Sequence, residues 1–160
     1  YDFSGIANNS TTSLTSFYWR DTLPTQAIRL DKIITGTYNV NGSYKVVYQT
    51  NLSGGTWRTM YDNLLTRQNY TLDASPAALG LASNEYVTAF MVSFGVVPAN
   101  FRQVEAPQVY CNVVSQLASG TQFTNQADVG GVYDGQWIMA TSRWVTRVYK
   151  PSQPLPRTGY

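Results

Sequence analysis

Few residue types able to do chemistry occur in this chain. It has no histidine and one cysteine, Cys111, so its own side chains cannot assemble a Ser–His or Cys–His nucleophile. Cys111 shares the apolar alternation of Val109 and Val113, which predicts a buried, unreactive thiol. Carboxylate pairs such as Asp62 with Asp73 could cleave glycosides only at a hydrolytic separation, and no motif supports such a pair. We therefore predict that the chain is not an enzyme.

Aromatic side chains beside turn carboxylates suggest a sugar-binding surface. Trp57 follows the turn Gly54-Gly55-Thr56 and is the best exposed candidate, while Tyr133 and Asp134 lie in a second turn. Lectin-like sandwiches combine ring stacking with a few placed polar groups. Further members of such a surface would be Trp137, Trp144 and Asp128. The alternative is that these strand aromatics fill the core, which is the favoured interpretation for Trp137 and Trp144.

No metal, cofactor or nucleic acid is predicted. Asp128 and Asp134 flank a Gly-rich loop, but two carboxylates fall short of the six to eight oxygens that calcium prefers. Only 12% of the residues are charged and the formal net charge is +2. That composition lacks the clustered Lys and Arg of a nucleic-acid-binding surface.

The last residues carry the most specific motif. They read Leu155, Pro156, Arg157, Thr158 and Gly159, after the Pro-rich stretch 150–154. This Leu-Pro-x-Thr-Gly pattern resembles the cell-wall sorting signal of surface proteins from Gram-positive bacteria. The resemblance implies that a sortase cuts the Thr158–Gly159 bond and joins Thr158 to a peptidoglycan precursor. Sortase and peptidoglycan would be the partners, and the cell wall or outer cell surface the location.

The resemblance also carries an expectation about the precursor. Such signals are followed by a membrane-spanning stretch, which needs about 20 apolar residues. We therefore expect the natural reading frame to continue beyond Tyr160 with an apolar span and basic residues. Tyr1-Asp2-Phe3 lacks the features of a secretory signal, and no part of the chain as given is predicted to span a membrane.

A second resemblance lies near the start. Phe17-Tyr18-Trp19-Arg20-Asp21-Thr22-Leu23-Pro24 is similar to a strand pattern in the repeated β-sandwich modules of bacterial surface proteins. With the sorting motif, it implies an adhesin-like or pilin-like domain that serves cell adhesion or forms a stalk, with a host molecule or a glycan as ligand. The alternative function is a carbohydrate-binding module of a surface protein.

Some sortase-anchored domains form an isopeptide bond between Lys and Asn with a carboxyl group as catalyst. The residues that resemble this arrangement are Lys45, Glu105 and Asn125, with Lys32 as another amine. The chemistry requires a buried, neutral Lys beside a protonated carboxyl group. Strand lysines more often extend into solvent, so the alternative is that these residues are unconnected.

The elements that must position these residues are predicted to be strands. The chain has 12 Tyr, 6 Phe and 4 Trp, and such side chains favour pleated, half-buried surfaces. Turn signals at regular spacing predict an antiparallel β-sandwich of jelly-roll or Greek-key type. Ser75, Pro76 and Gly80 predict one short helix over 75–81. We expect residues 1–149 to form the module and residues 150–160 to form a Pro-rich linker with the motif.

Three local expectations concern the strands. A phase change in the apolar pattern near Lys32 predicts a bulge. Asn41-Gly42 predicts a hairpin between the strand 28–38 and the strand 44–50. The apolar run from Glu85 to Gly95 predicts a central strand.

Overall fold

The computed structural model describes residues 1–114 and 117–147. These ranges form antiparallel strands and, within them, one short helix, α1. The elements in chain order are β1 (Leu14–Thr22), β2 (Ile28–Ile34), β3 (Thr37–Tyr38), β4 (Ser43–Thr50), β5 (Arg58–Leu65), β6 (Thr71–Asp73), α1 (Pro76–Leu79), β7 (Val87–Val97), β8 (Gln103–Glu105), β9 (Gln108–Val113), β10 (Gln122–Tyr133) and β11 (Gln136–Arg147).

The largest sheet has six strands in the order β11-β10-β1-β7-β4-β5. Strand β7 lies between β1 and β4, which confirms that the apolar run beginning near Glu85 is a central strand. Strands β10 and β11 form a long hairpin around the turn Asp134-Gly135. Neither neighbour of β1 is next to it in sequence, so long connections as well as hairpins join the strands of this sheet.

A three-stranded sheet in the order β6-β2-β9 covers part of the larger sheet, and β3 pairs with β8. The first residues extend this layer, because Asp2 makes an isolated bridge to Gln108 and Ala7 makes one to Arg102. Buried side chains from both larger sheets belong to one hydrophobic core. The fold is therefore an all-β antiparallel sandwich, as predicted.

Trp19 lies at the centre of the core. Its ring centroid is 4.7 Å from that of Phe3 and 5.6 Å from that of Phe90. The indole Nε1–H donates a hydrogen bond of 2.9 Å to the Tyr38 hydroxyl. That hydroxyl donates in turn to the Thr35 carbonyl at 3.1 Å. The indole N–H and the Tyr38 hydroxyl thus both have hydrogen-bond partners, which keeps their burial from costing stability.

The helix has the ends that the sequence predicts. The Ser75 hydroxyl accepts a hydrogen bond from the Ala78 N–H, Pro76 occupies the first turn, and Gly80 ends the helix in the left-handed conformation. Glycine adopts that conformation without a steric penalty. The residues that begin and end this helix thus lie within a few positions of one another in the sequence, which makes such a helix predictable.

Two expectations about strand 28–38 have opposite outcomes. The predicted bulge is confirmed, since the register between β2 and β9 shifts between Leu30 and Lys32. The predicted hairpin at Asn41-Gly42 is wrong, because β2 pairs with β6 and β9 while β4 pairs with β5 and β7. The chain crosses from one sheet to the other over residues 35–42, so the Asn-Gly turn connects layers instead of neighbouring strands.

Within the described residues, no helix is long and apolar enough to cross a membrane.

Candidate functional site

The solvent-facing side of β1, β10 and β11 carries an aromatic and charged cluster, which we call the outer patch: Tyr18, Arg20, Asp128, Trp137 and Thr141. The ring centroids of Tyr18 and Trp137 are 6.4 Å apart, and 67% of Trp137 is exposed. Strand β10 passes beneath the Tyr18 ring at Gly130. A Cβ there would lie 2.8 Å from the Tyr18 hydroxyl and 2.9 Å from the Ile138 carbonyl oxygen. The missing side chain therefore lets Tyr18 lie across β10 toward β11.

A carboxylate anchors the polar half of the outer patch. The Arg20 Nε and Nη2 donate to one oxygen of Asp128 at 3.1 and 2.7 Å, and the Thr141 hydroxyl donates to the other at 2.6 Å. Burial raises the pKa of Asp128, but the hydrogen bonds from Thr141 and Arg20 and the Arg20 charge outweigh it, so the pKa is lowered. Asp128 is consequently an anion held in place, which orients Arg20 beside the Tyr18 ring at 5.6 Å.

The predicted sugar-binding residues do not converge. Tyr133 and Asp134 lie at the turn between β10 and β11, and both are exposed. Trp57 lies in the connection between β4 and β5, at the opposite end of the strands. Four strand spacings, about 19 Å, also separate β10 from β5 across the sheet. Trp57 therefore occupies the opposite corner from Tyr133 and Asp134.

Trp137 corrects the expectation that strand tryptophans fill the core. It lies beside the turn that carries Tyr133 and Asp134, and its side chain is on the outer face of the sheet. The one signal of the outer patch in the sequence is the spacing of Asp128 and Gly130, two residues apart in β10, because alternate residues of a strand lie on the same face of the sheet. Tyr18 and Arg20 were missed as binding candidates because only the pairing of β1 with β10 places them beside Trp137.

The residues of the proposed isopeptide bond are also separated. Lys45 is exposed on β4, and Glu105 is exposed on β8 of a different sheet, whereas only 1% of Asn125 is exposed. Strands β1 and β7 lie between β10 and β4, which places Lys45 and Asn125 about 14 Å apart across the sheet. The structure does not bring the three residues together, because Lys45 lies in solvent where the chemistry needs a desolvated amine. Lys32 instead lies 4.5 Å from the Tyr110 ring centroid.

Asn125 belongs to a buried polar cluster on the inner face of β1 and β10. The Tyr1 hydroxyl donates a short hydrogen bond to the Asp21 carboxyl group, and Asp21 is fully buried. Among the described residues, neither amide atom of Asn125 has a hydrogen-bond partner of normal geometry, nor does Asp21 Oδ1. Asn125 and Cys111 line a cavity of about 350 Å³ with Tyr1. These polar atoms lose their contact with water without gaining a hydrogen bond, which lowers the stability of the folded state.

Burial controls the protonation of this cluster. Burial raises the pKa of Asp21 to about 7, although the hydrogen bond from Tyr1 and the nearby N-terminal charge oppose the rise. Burial, followed by the charge of Asp21, raises the pKa of the Tyr1 phenol, and the same two causes raise the pKa of Cys111 to about 12. Cys111 is half-buried and stays a thiol at neutral pH, so it is a poor nucleophile.

A second cavity, of about 660 Å³, lies between the N-terminal segment 1–10 and the inner faces of β10 and β11. Its wall includes Ile6, Phe17 and Ile138. The three-stranded sheet ends before it reaches β11, so the sandwich is open here. The volume is within the range of small-ligand sites, about 300–1,000 Å³. Asn8, on its wall, is already fully engaged with the backbone of Ser10, Thr12 and Pro98.

No group of three or more metal-binding side chains occurs in the parts of the chain that the structure describes. The sorting motif Leu155, Pro156, Arg157, Thr158 and Gly159 lies outside the described residues. Comparison of the chain with protein-family models, with curated proteins and with solved structures found no match.

Proposed function

We propose that the chain is a wall-anchored surface module whose C-terminal residues are a substrate for a sortase transpeptidase. The observation that carries the proposal is the Leu-Pro-x-Thr-Gly motif at 155–159. Residues 148–154 separate the motif from the end of β11 at Arg147. Three prolines in 151–156 favour extended backbone with few donors, which suits entry into another protein's active site.

The chemistry assigns this chain a substrate's role. The carbonyl carbon of Thr158 would be transferred from the nitrogen of Gly159 to the enzyme's nucleophile, releasing the segment that begins with Gly159. An amine of the peptidoglycan precursor would then displace the enzyme and form an amide with Thr158. The folded module up to Arg147 would be displayed at the cell wall for adhesion or as part of a stalk.

Incubation with a sortase and triglycine tests the proposal directly. We expect a product in which Thr158 is joined to triglycine and Gly159-Tyr160 is lost, detected by intact mass. A Thr158→Val variant is the matched control, because it preserves the size of the side chain and should not be processed. If the wild-type chain stays uncut while a reference peptide with the same motif is cut in the same reaction, the anchoring proposal fails.

One observation favours a second candidate function, that of a carbohydrate-binding module. The outer patch joins the exposed ring of Trp137, the ring of Tyr18 and the guanidinium group of Arg20, which the buried Asp128 holds in place, on one face of the sheet. Sugars present C–H faces that stack on aromatic rings and hydroxyl groups that bond to charged side chains. A surface module with this patch would use it to grip a glycan.

A glycan array probed with the wild-type chain and two variants separates the candidates. Trp137→Ala removes the exposed ring of the outer patch, while Trp57→Ala removes a tryptophan at the opposite corner of the sheet. Binding that is lost only in Trp137→Ala supports the carbohydrate-binding module. Absence of binding by the wild-type chain across the array favours the stalk, and equal binding by both variants contradicts a role for the outer patch.

A further inference from the structure

Strand β11 is the long edge strand of the six-stranded sheet. It pairs with β10 over its whole length, from Gln136 opposite Tyr133 to Arg147 opposite Gln122, with no shift in register. Among the described strands, none pairs with its other side. Its backbone groups on that side therefore point to solvent in a regular row, which is a template for another strand.

The side chains of β11 are unusual for an exposed edge. Trp137, Ile138, Met139 and Val145 are all exposed, and no residue between Gln136 and Arg147 is acidic. Natural sheet edges are usually protected by charges, prolines, bulges or covering segments. Two arginines, Arg143 and Arg147, are the cationic groups of β11, and Arg143 is engaged with Gln126 through a hydrogen bond of 3.0 Å.

We propose that β11 is a dimer interface, at which a second copy of this chain adds its own β11 in antiparallel orientation. The two six-stranded sheets would then continue into each other across a two-fold axis. Residues on the same face must meet, because a shift of one residue would place apolar side chains on the wrong side. The sum of the two residue numbers in each pair must consequently be even.

One such register suits both the charges and the apolar groups. It places Ser142 opposite Ser142 of the second copy, and it follows that Trp137 faces Arg147, Met139 faces Val145 and Thr141 faces Arg143. Each of these pairs occurs twice by symmetry. Arginine beside tryptophan and methionine beside valine are favourable cross-strand neighbours, and no arginine faces another arginine. The strand is thus complementary to itself, which selects a second copy as the occupant.

The first test is the mass of the wild-type chain in solution, measured by light scattering and sedimentation between about 1 μM and 1 mM, a range that covers weak to moderate affinities. We expect a concentration-dependent dimer. Val145→Lys places a charge opposite Met139 of the second copy and should weaken dimerisation by about tenfold or more. Val104→Lys is the matched control, since Val104 and Val145 are 65% and 62% exposed. A wild-type chain that stays monomeric throughout overturns the proposal, as does equal weakening by both variants.

The second test addresses the register. In the proposed pairing the two Ser142 Cα atoms are about 4.5–5.5 Å apart, within the range that a disulfide spans. Ser142→Cys should therefore give a covalent dimer under mild oxidation. Ala140→Cys is the control on the same face of β11, because its two copies would lie about 13 Å apart. Cross-linking of Ala140→Cys as fast as Ser142→Cys would contradict the register. Both variants are made with Cys111→Ser, so that only the new thiol can react.

Discussion

The two edges of the six-stranded sheet are built in opposite ways. At one edge, the pairing of β5 with β4 shifts register twice, and Asn63 has a positive φ of 54°. Charged Arg58 and Asp62 face solvent along that strand. At the other edge, β11 continues without a shift for its whole length and exposes apolar side chains.

The difference indicates which edge can pair with another strand. Bulges and charges at β5 prevent another strand from continuing the ladder, as expected for a monomeric surface. Along β11 no register shift interrupts the pairing with β10, and no residue is acidic. The half of the sheet next to β11 also carries the outer patch, the open side of the sandwich and the buried Asp21. The candidate binding features therefore lie in the β11 half, whereas the edge of the β5 half is protected against pairing. Four experiments test this contrast between the two halves of the sheet.

The largest expected effect comes from Asp21 and depends on pH. Its folded pKa of about 7 exceeds the ordinary value of 3.8, so the folded state favours the neutral form. Stability that is complete below about pH 4 is therefore lost as the pH rises through about 7, by about 4 kcal/mol in all. Asp21→Asn should remove this loss and be the more stable protein at pH 8. Urea unfolding at pH 5 and pH 8 measures it.

The matched control is Asp62→Asn, which changes an exposed carboxylate on β5. Its stability should follow the wild-type pH profile. If Asp21→Asn loses stability to the same extent as the wild type between pH 5 and pH 8, the buried carboxyl group is not the source of the effect.

Removal of Arg20 should have the next largest effect. Asp128 is fully buried and Arg20 is its charged partner at 2.7 Å, so Arg20→Met leaves a buried carboxylate without its charged partner and costs about 2–4 kcal/mol. The corresponding pair at the β5 edge is Arg58 with Glu85 at 3.1 Å. Arg58→Met should cost much less, because Arg58 is the more exposed arginine, at 42% against 31% for Arg20. Glu85 also keeps its hydrogen bonds from the Thr50 hydroxyl and the Ala82 N–H. Equal losses in chemical denaturation would contradict the contrast between the two halves.

Gly130→Ala tests how tightly β10 is packed under the outer patch. The added methyl group meets the Ile138 carbonyl oxygen at 2.9 Å as well as the Tyr18 hydroxyl, so backbone must move, at about 1–3 kcal/mol. Gly42→Ala, before β4, meets only Thr66 at 3.9 Å and should be nearly neutral. Thermal unfolding of the two variants compares them. A Gly130→Ala protein as stable as Gly42→Ala would show that Tyr18 does not lie across β10.

The smallest expected effect on stability is that of Trp137→Ala. Most of the side chain is exposed, so its removal should change the free energy of unfolding by no more than about 0.5 kcal/mol. A loss above that value, measured by urea unfolding, would mean that the ring supports the fold instead of presenting a binding surface.

The sequence was sufficient for features that depend on neighbouring residues. Ser75, Pro76 and Gly80 specify the helix with its two caps, and the phase change near Lys32 specifies the bulge in β2. Fold class also follows from local signals, since strand-favouring residues and turn residues alternate throughout the chain. Such signals do not depend on which strand lies beside which.

Pairing between distant strands could not be read in the same way. The Asn41-Gly42 turn is compatible with a hairpin and with a crossover between sheets, and only the competition of β6 and β9 for β2 decides. The outer patch depends on β1 lying beside β10, which are more than a hundred residues apart. Lys45 and Asn125 occupy strands whose separation is fixed by the intervening β1 and β7.

Tyr1 and Thr146 line the same cavity, so the N-terminal segment and the end of β11 lie at the same corner. Opposed pulling through these two ends loads the hydrogen bonds of Tyr1 with Val109 and the Gln122–Arg147 pair. From Arg147, β11 can detach from β10 one pair at a time toward the turn. Release of β11 would add about 40 Å of extended chain between the two ends. In a module tethered through Arg147, β11 would thus detach at low force before the rest of the domain unfolds. Single-molecule pulling would show this as a low-force step of that length. Unfolding of the whole domain in a single high-force step would contradict it.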